Sequence, residues 1–321
     1  MVDRIPHDLT KQVPQLSVPE SPRRFVVILN SKARKGKALY ESVEKELGRL
    51  AEFIVLASKP SEQVAAIEKA KKGGIKNIWI GGGDGSVRAA AGALVDTDIV
   101  LSILPLGTGN SLARELEIPL KLEDAIQFHL NDAVVKIIDV GVFQGDVFVN
   151  VATLGLTTNI MQEVQKSNKG LFGRLVYLPA VAKACSETRS FKIKVETEAG
   201  NYEGRALQFV AASTRFHGGP FPVSEKAAID DDELSIYVLT SKQENSLWRY
   251  GVALLLRRQT KLPEVWNVEA KTAKVTLLGP KIFVVDGDPV RASTAEISIK
   301  GRCLRVSAAR PKGNSDEEGK K

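Results

Sequence analysis

The segment from Lys76 to Leu94 reads KNIWIGGGDGSVRAAAGAL: an apolar strand breaks into Gly81-Gly82-Gly83-Asp84-Gly85-Ser86 and runs directly into an Ala-rich helix. Consecutive glycines let backbone N–H groups approach phosphate oxygens closely, and the N-terminus of the following helix adds a partial positive charge. Asp84, at the carboxyl end of the strand, is placed to position Mg2+ or a reacting hydroxyl. The same residues also suit a tight strand-to-helix turn in which Asp84 only caps the helix. Neither the dinucleotide pattern G-x-G-x-x-G nor the P-loop G-x-x-x-x-G-K-[ST] is present.

A second loop of the same kind follows. The run VLSILP leads into Leu106-Gly107-Thr108-Gly109-Asn110-Ser111 and then a helix, LAREL, ending before Ile118-Pro119. Two glycine-rich loops after successive strands of one sheet lie side by side at its carboxyl edge, where open α/β sheets bind ligands. Upstream, FVVILN, a helical period over Lys37 to Leu50, EFIVLA, and a helical stretch from Pro60 to Lys72 continue the alternation. Short apolar runs separated by helices predict βαβ units, hence a doubly wound α/β half.

Past Asn131 the rhythm changes. AVVKIIDVGVF, the turn QGD and VFVNVATLGL form a predicted hairpin, and further strand-like runs extend to AEISIKGRCLRVSA. Two helical stretches interrupt them, Leu171 to Ser186 and Ser246 to Arg258. The expected organisation is a flexible tail over 1–22, an α/β domain over 23–132, a β-rich domain with helical inserts over 133–308 and a flexible polar tail over 309–321.

With 321 residues, 43% hydrophobic and 26% charged, the chain has the composition of an ordinary globular protein of about two domains. Its 45 basic and 38 acidic residues give a net charge of +7, which favours an anionic partner. Aromatics amount to 6% and do not interleave with Arg and Lys, so no nucleic-acid partner is expected. Cys185 and Cys303 lack close partners and read as small buried residues in a reducing compartment. The N-terminal MVDRIPHDLTKQVPQLSVPESPRR carries acids and prolines without an apolar run, and no stretch approaches the ~20 residues that span a bilayer. His7, His129 and His217 assemble neither a Ser/His/Asp arrangement nor metal-ligand spacing.

GGGDGSVRAAAGAL followed by ILPLGTGNSLARELEIP resembles the diacylglycerol kinase catalytic domain, a lipid kinase superfamily that includes bacterial diacylglycerol kinases, sphingosine kinases and ceramide kinases. VVILNSKARKGKA, IDVGVFQGDVFVNVATLGL, FHGGPFPVSEKAAIDDDELSIYVL and FVVDGDPV extend the likeness over about residues 25–308. The resemblance implies an α/β nucleotide-binding domain over 23–132 followed by a β-sandwich lipid-substrate domain over 133–308, with ATP and the lipid head meeting between them, and it allows the last strands to return to the first domain. It implies nucleotide contacts from Asn30, Gly82, Gly83, Asp84, Gly85 and Ser86, and phosphate-flanking positions at Gly107, Thr108, Gly109 and Asn110. Asp84 would act around Mg2+, Asp288 would take the place of the family's glutamate as general base, and Asp231 is the one structural-metal ligand carried over. The partners implied are nucleotide and a lipid at the inner face of the membrane, for a cytoplasmic, peripheral protein; a homodimer rests on base rates for soluble oligomers alone.

The chain departs from the family pattern at several positions. Asn30-Ser31 lacks a proline, Arg34 stands where glycine is usual, and Arg88 where asparagine is common. Asp288 is one methylene shorter than glutamate, a retreat on the order of 1 Å of the kind that can cost about 10²-fold in rate. The glycine usual in the family is missing from Asp230-Asp231-Asp232-Glu233. Lys32, Arg34, Lys35 and Lys37 crowd the first loop, as phosphate ligands or as a solvated basic turn. The stretch from Lys169 to Lys183 mixes apolar and basic residues as either a membrane-seeking or a core-facing helix would, and SLWRYGVALLLRR invites the same two readings. Three readings stay open: a lipid kinase, an NAD-kinase-like enzyme that shares the Gly-Asp-Gly loop, and a binder of the same fold without catalysis.

Overall fold

The computed structural model describes residues 24–31, 36–156, 188–214, 216–217, 221–222, 229–240 and 262–310, with side chains omitted at 36–39, 216–217 and 221–222. The predicted helices over 171–186 and 246–258 lie outside these residues, as do both tails except for Ala309 and Arg310. So do Lys32, Arg34, Lys35, Cys185, the Lys169–Lys183 segment and the side chains of Lys37 and His217.

The chain begins with alternation: β1 (Phe25–Asn30), α1 (Gly36–Leu47), β2 (Phe53–Ala57), α2 (Pro60–Lys72), β3 (Asn77–Gly82), α3 (Asp84–Leu94) and β4 (Val100–Pro105). Then come α4 (Ser111–Glu115) and α5 (Leu122–Asn131). The four strands are parallel and ordered β2-β1-β3-β4. Strands covered on both faces read as unbroken apolar runs, and Phe25 through Leu29 are all buried. Helix α2 opens on Pro60, which tolerates the missing N–H of a first turn, and closes with Lys69, Lys71 and Lys72 near its negative end. Helix α1 stops at Leu47, three residues before the predicted end, where the Gly48 N–H donates to Glu44 O and a turn follows.

The second part is β-rich: β5 (Val134–Phe143), β6 (Asp146–Phe148), β7 (Val151–Gly155), β8 (Phe191–Thr197), β9 (Gly200–Ala212), β10 (Phe216–His217) and β11 (Phe221–Pro222). It continues with β12 (Leu234–Thr240), β13 (Val265–Ala270), β14 (Thr272–Val285) and β15 (Asp288–Ala308). The predicted QGD turn joins β5 to β6, with Gln144 at φ 51° and Gly145 at φ 92°. Strands β7 and β8 each bridge β9 and β14, so the sheet folds back around a second core of Phe143, Phe148, Phe209 and Phe283. The 21-residue β15 pairs with β14 near its start and with β5 near its end, where Arg305 and Val306 also join β4 in parallel register. One sheet therefore runs from the parallel strands into the antiparallel ones.

Where α5 covers β4, His129 is enclosed. Its Nε2 donates to Ile103 O at 2.8 Å, so Nδ1 accepts from the Ser307 hydroxyl at 2.8 Å, and Trp79 packs against the ring. Burial pushes its pKa down to about 4 from 6.5, only partly opposed by the Ile103 carbonyl. The folded protein thus refuses a proton that the unfolded chain accepts. The stability contributed is complete above pH 6.5 and is lost as pH falls toward 4. The stability gap between wild type and His129→Gln should therefore narrow by about 2 kcal/mol from pH 7 to pH 4.5, read from urea midpoints. A gap independent of pH would contradict a buried neutral imidazole.

Candidate functional site

The strand order reverses between β1 and β3: the chain leaves β1 for β2 at the edge, then returns to β3 on the other side. Crevices at such switch points, beyond the carboxyl ends of the strands, hold ligands in open α/β sheets. Asn30 ends β1, Gly82 ends β3 and Pro105 ends β4, so three predicted site segments share that edge. Asn30 Nδ2 donates to Ser86 Oγ at 3.0 Å, linking the first strand to the first turn of α3.

The two glycine loops touch through backbone. A methyl group added at Gly107 would lie 2.5 Å from Gly83 Cα and 2.9 Å from Asn110 Oδ1. Only glycine permits that approach. Leu106 N–H donates to Gly82 O at 2.9 Å. Asn110, at φ 51°, accepts the Gly107 N–H through Oδ1 at 2.9 Å and donates Nδ2 to Gly107 O at 2.8 Å. Its amide thus shapes its own loop, while Thr108 is exposed at the loop surface.

Asp84 joins the loops electrostatically. Its Oδ1 accepts the Ser111 N–H at 2.7 Å and its Oδ2 the Asn110 N–H at 3.1 Å. The carboxylate therefore caps α4, the helix of the other loop, while Gly83 is the N-cap of α3. Both oxygens keep further lone pairs, and hard carboxylate oxygens suit Mg2+. Gly109 lies so close that an added methyl would meet Asp84 Oδ2 at 2.6 Å.

A third segment arrives from the β-rich part. Between β14 and β15, Asp286 (φ 48°) and Gly287 (φ 97°) make a two-residue turn, pairing Val285 with Asp288. The two aspartates of Asp286-Gly-Asp288 have separate fates. Asp286 Oδ2 accepts the Val149 N–H at 2.6 Å and Oδ1 those of Asn150 and Val151, both at 3.0 Å. Burial pushes its carboxyl up to about 6 from 3.8, against the three amides and the Arg88 guanidinium, which pull it down. The folded state favours the protonated form, so this contribution to stability falls as pH rises from 3.8 to 6, opposite in sign to that of His129. Asp286→Ala would leave three amides without their acceptor and should cost about 3 kcal/mol at pH 7; Asp286→Asn, which keeps one acceptor oxygen, should cost less in the same urea titration.

Asp288 has a side chain 69% exposed, and its Oδ2 accepts from Arg88 Nη1 at 2.6 Å. Arg88 is one turn beyond Asp84 on α3, and so faces the same side of the helix. The structure thus brings Asn30, Gly82–Ser86 and Gly107–Asn110 to one sheet edge and ties Asp288 to α3. Asp231 lies elsewhere in its contacts. Its Oδ1 accepts the Glu233 N–H at 3.3 Å, while Asp230 pairs with Lys136 at 3.2 Å and Asp232 with Lys271. The buried Asp139 accepts from the Asp232 and Arg302 amides at 2.7 and 2.6 Å, and burial pushes its carboxyl above the usual range. Among the described residues no three His, Cys, Asp or Glu side chains come together to hold a metal. Sequence reasoning marked Arg88 only as a departure, and it named Asp288 while giving Asp286 no part.

Residues 24–142 match the model of the diacylglycerol kinase catalytic domain. The chain is 30% identical over 225 residues to the "Probable lipid kinase YegS-like" protein of Pseudomonas syringae pv. syringae, covering 69% of this chain and 73% of that one. Its identity to the like-named protein of Pseudomonas savastanoi pv. phaseolicola is 28% over 293 residues, 88% of this chain and 93% of the relative. Among solved structures, a candidate diacylglycerol kinase from Bacillus anthracis str. Sterne superimposes with a TM-score of 0.73 at 20% identity, covering 90% of this chain and 98% of that chain. With a matching catalytic-domain model, a relative aligned over most of its length and the same fold, the chain belongs to the diacylglycerol kinase catalytic domain family.

Proposed function

We propose that the protein is a lipid kinase that uses ATP and Mg2+ to phosphorylate the hydroxyl of a diacylglycerol-like lipid. The observation that carries this reading is the pair of interlocked glycine loops at the switch point, bridged by Asp84 and approached by a second carboxylate from the β-rich part. Residues 23–132 would bind the nucleotide and residues 133–308 the lipid. Backbone N–H groups at the two loops and the N-terminus of α3 would receive the phosphates. Asp84 fits as the holder of Mg2+, which when bound neutralises phosphate charge and orients the transferring group.

In the reaction the lipid oxygen forms a bond to the γ-phosphorus, the bond from that phosphorus to the β,γ-bridging oxygen breaks, and ADP departs. Asp288 Oδ1 takes the hydroxyl proton, late, as a loose phosphoryl-transfer transition state requires. The loops hold the donor in line, and the α3–β15 contact brings the acceptor carboxylate to it. A lipid acceptor places the enzyme, on this reading, at the inner membrane surface as a peripheral protein; among the described residues no helix is long and apolar enough to cross a membrane. Side-by-side assays with γ-labelled Mg·ATP should label diacylglycerol in mixed micelles and leave NAD unlabelled. Labelled NAD with unlabelled lipid would replace this reading with the NAD-kinase one.

A further inference from the structure

The guanidinium of Arg88 is fixed before it meets Asp288. Its Nε donates to Val147 O on β6 at 3.0 Å and Nη1 to Val285 O at the end of β14 at 3.2 Å, and its side chain is 16% exposed. Asp288, in contrast, extends from the turn into solvent on one side, and the contact to Arg88 spans 200 positions of sequence. A free aspartate there would sample several rotamers. A planar fork already held by two carbonyls loses little entropy in selecting one of them.

We propose that Arg88 is the positioning residue for Asp288: it holds Oδ2 so that Oδ1 faces the cleft above α3, and the two side chains act as one unit in proton acceptance. The inference rests on the reading of Asp288 as the base given under Proposed function. An exposed ion pair contributes little to stability as such, so the value of this one lies in orientation. Arg88 also bonds to both strands that flank the Asp286 turn, so α3 and the turn that carries the base move together.

The test measures kcat and KM for Mg·ATP and for diacylglycerol in micelles, with full-length wild type, Arg88→Lys, Arg88→Asn, Asp288→Glu and the double variant Arg88→Asn/Asp288→Glu. Arg88→Asn should lower kcat about 30-fold with KM for ATP nearly unchanged, as expected of a base misplaced on the order of 1 Å. Lysine keeps the charge without the fork and should restore only part. In the Arg88→Asn background, Asp288→Glu should raise kcat about tenfold, because a longer side chain reaches the cleft unaided; with Arg88 present, the same change should lower it. A merely structural Arg88 would move the urea midpoint and give no rescue by glutamate, and that pattern overturns the proposal. If Arg88→Asn does not fold, Arg88→Lys with and without Asp288→Glu supplies the same comparison. An active wild type whose kcat is indifferent to Arg88 removes this inference alone; a wild type that phosphorylates no lipid removes the reading of Asp288 and this inference with it.

Discussion

Asp84→Asn should lower phosphoryl transfer about 10³-fold, close to 4 kcal/mol of transition-state stabilisation. The substitution keeps the size of the side chain and removes its charge. Asp84 is the acid that links the two loops, accepting the Ser111 and Asn110 amides at 2.7 and 3.1 Å. An asparagine can present an oxygen to only one of them and turns its NH2 toward the other, a donor against a donor. Part of the loss is thus geometric, because α4 loses half its cap, which should cost about 1 to 2 kcal/mol of stability. The larger part is the missing anion where Mg2+ and the phosphates are to be held. Measuring kcat beside the urea midpoint separates the two. An Asp84→Asn enzyme with normal turnover would leave Asp84 as a cap and nothing more.

Gly107→Ala should lower kcat/KM about 10²-fold by a purely steric route. The added methyl lands 2.5 Å from Gly83 Cα, where neither partner is the flexible end of a side chain. The loops must part on the order of 1 Å, enough to misalign a phosphate held by both. Gly92→Ala on α3 is the control, because a methyl there meets nothing within 4 Å. It should add up to about 1 kcal/mol of stability by helix propensity and leave kcat unchanged. Equal kinetics for both alanine variants would show that the loop contact has no part in transfer.

The pattern-bearing parts of this fold were legible in the sequence because their causes are local. Strand and helix alternate in hydrophobic period from Phe25 to Pro105, and glycine runs announce turns where backbone must come close. Both loops stand at the carboxyl edge expected from order alone. What periodicity alone does not state is which distant positions meet. β15 joins both β5 and β4 through its last residues; the expectation that the last strands return to the first domain comes from the family resemblance, and no period within β15 names its neighbours. Asp286 and Asp288 flank one glycine and are chemically identical, yet the turn sends one inward to three amides and leaves the other exposed. Arg88 looked like a departure because its partner is 200 positions away. Asp139 lay hidden in the run IIDVGV, where a buried acid interrupts an apolar strand to receive the amides of Asp232 and Arg302.

The most direct test of the central claim is transfer of γ-labelled phosphate from Mg·ATP into a total lipid extract in mixed micelles, with Asp84→Asn in parallel and the labelled product identified by mass spectrometry. The account predicts one labelled phospholipid, derived from a diacylglycerol-like alcohol and absent with Asp84→Asn. No labelled lipid from a folded, ATP-binding wild type, or equal labelling by both proteins, would contradict it.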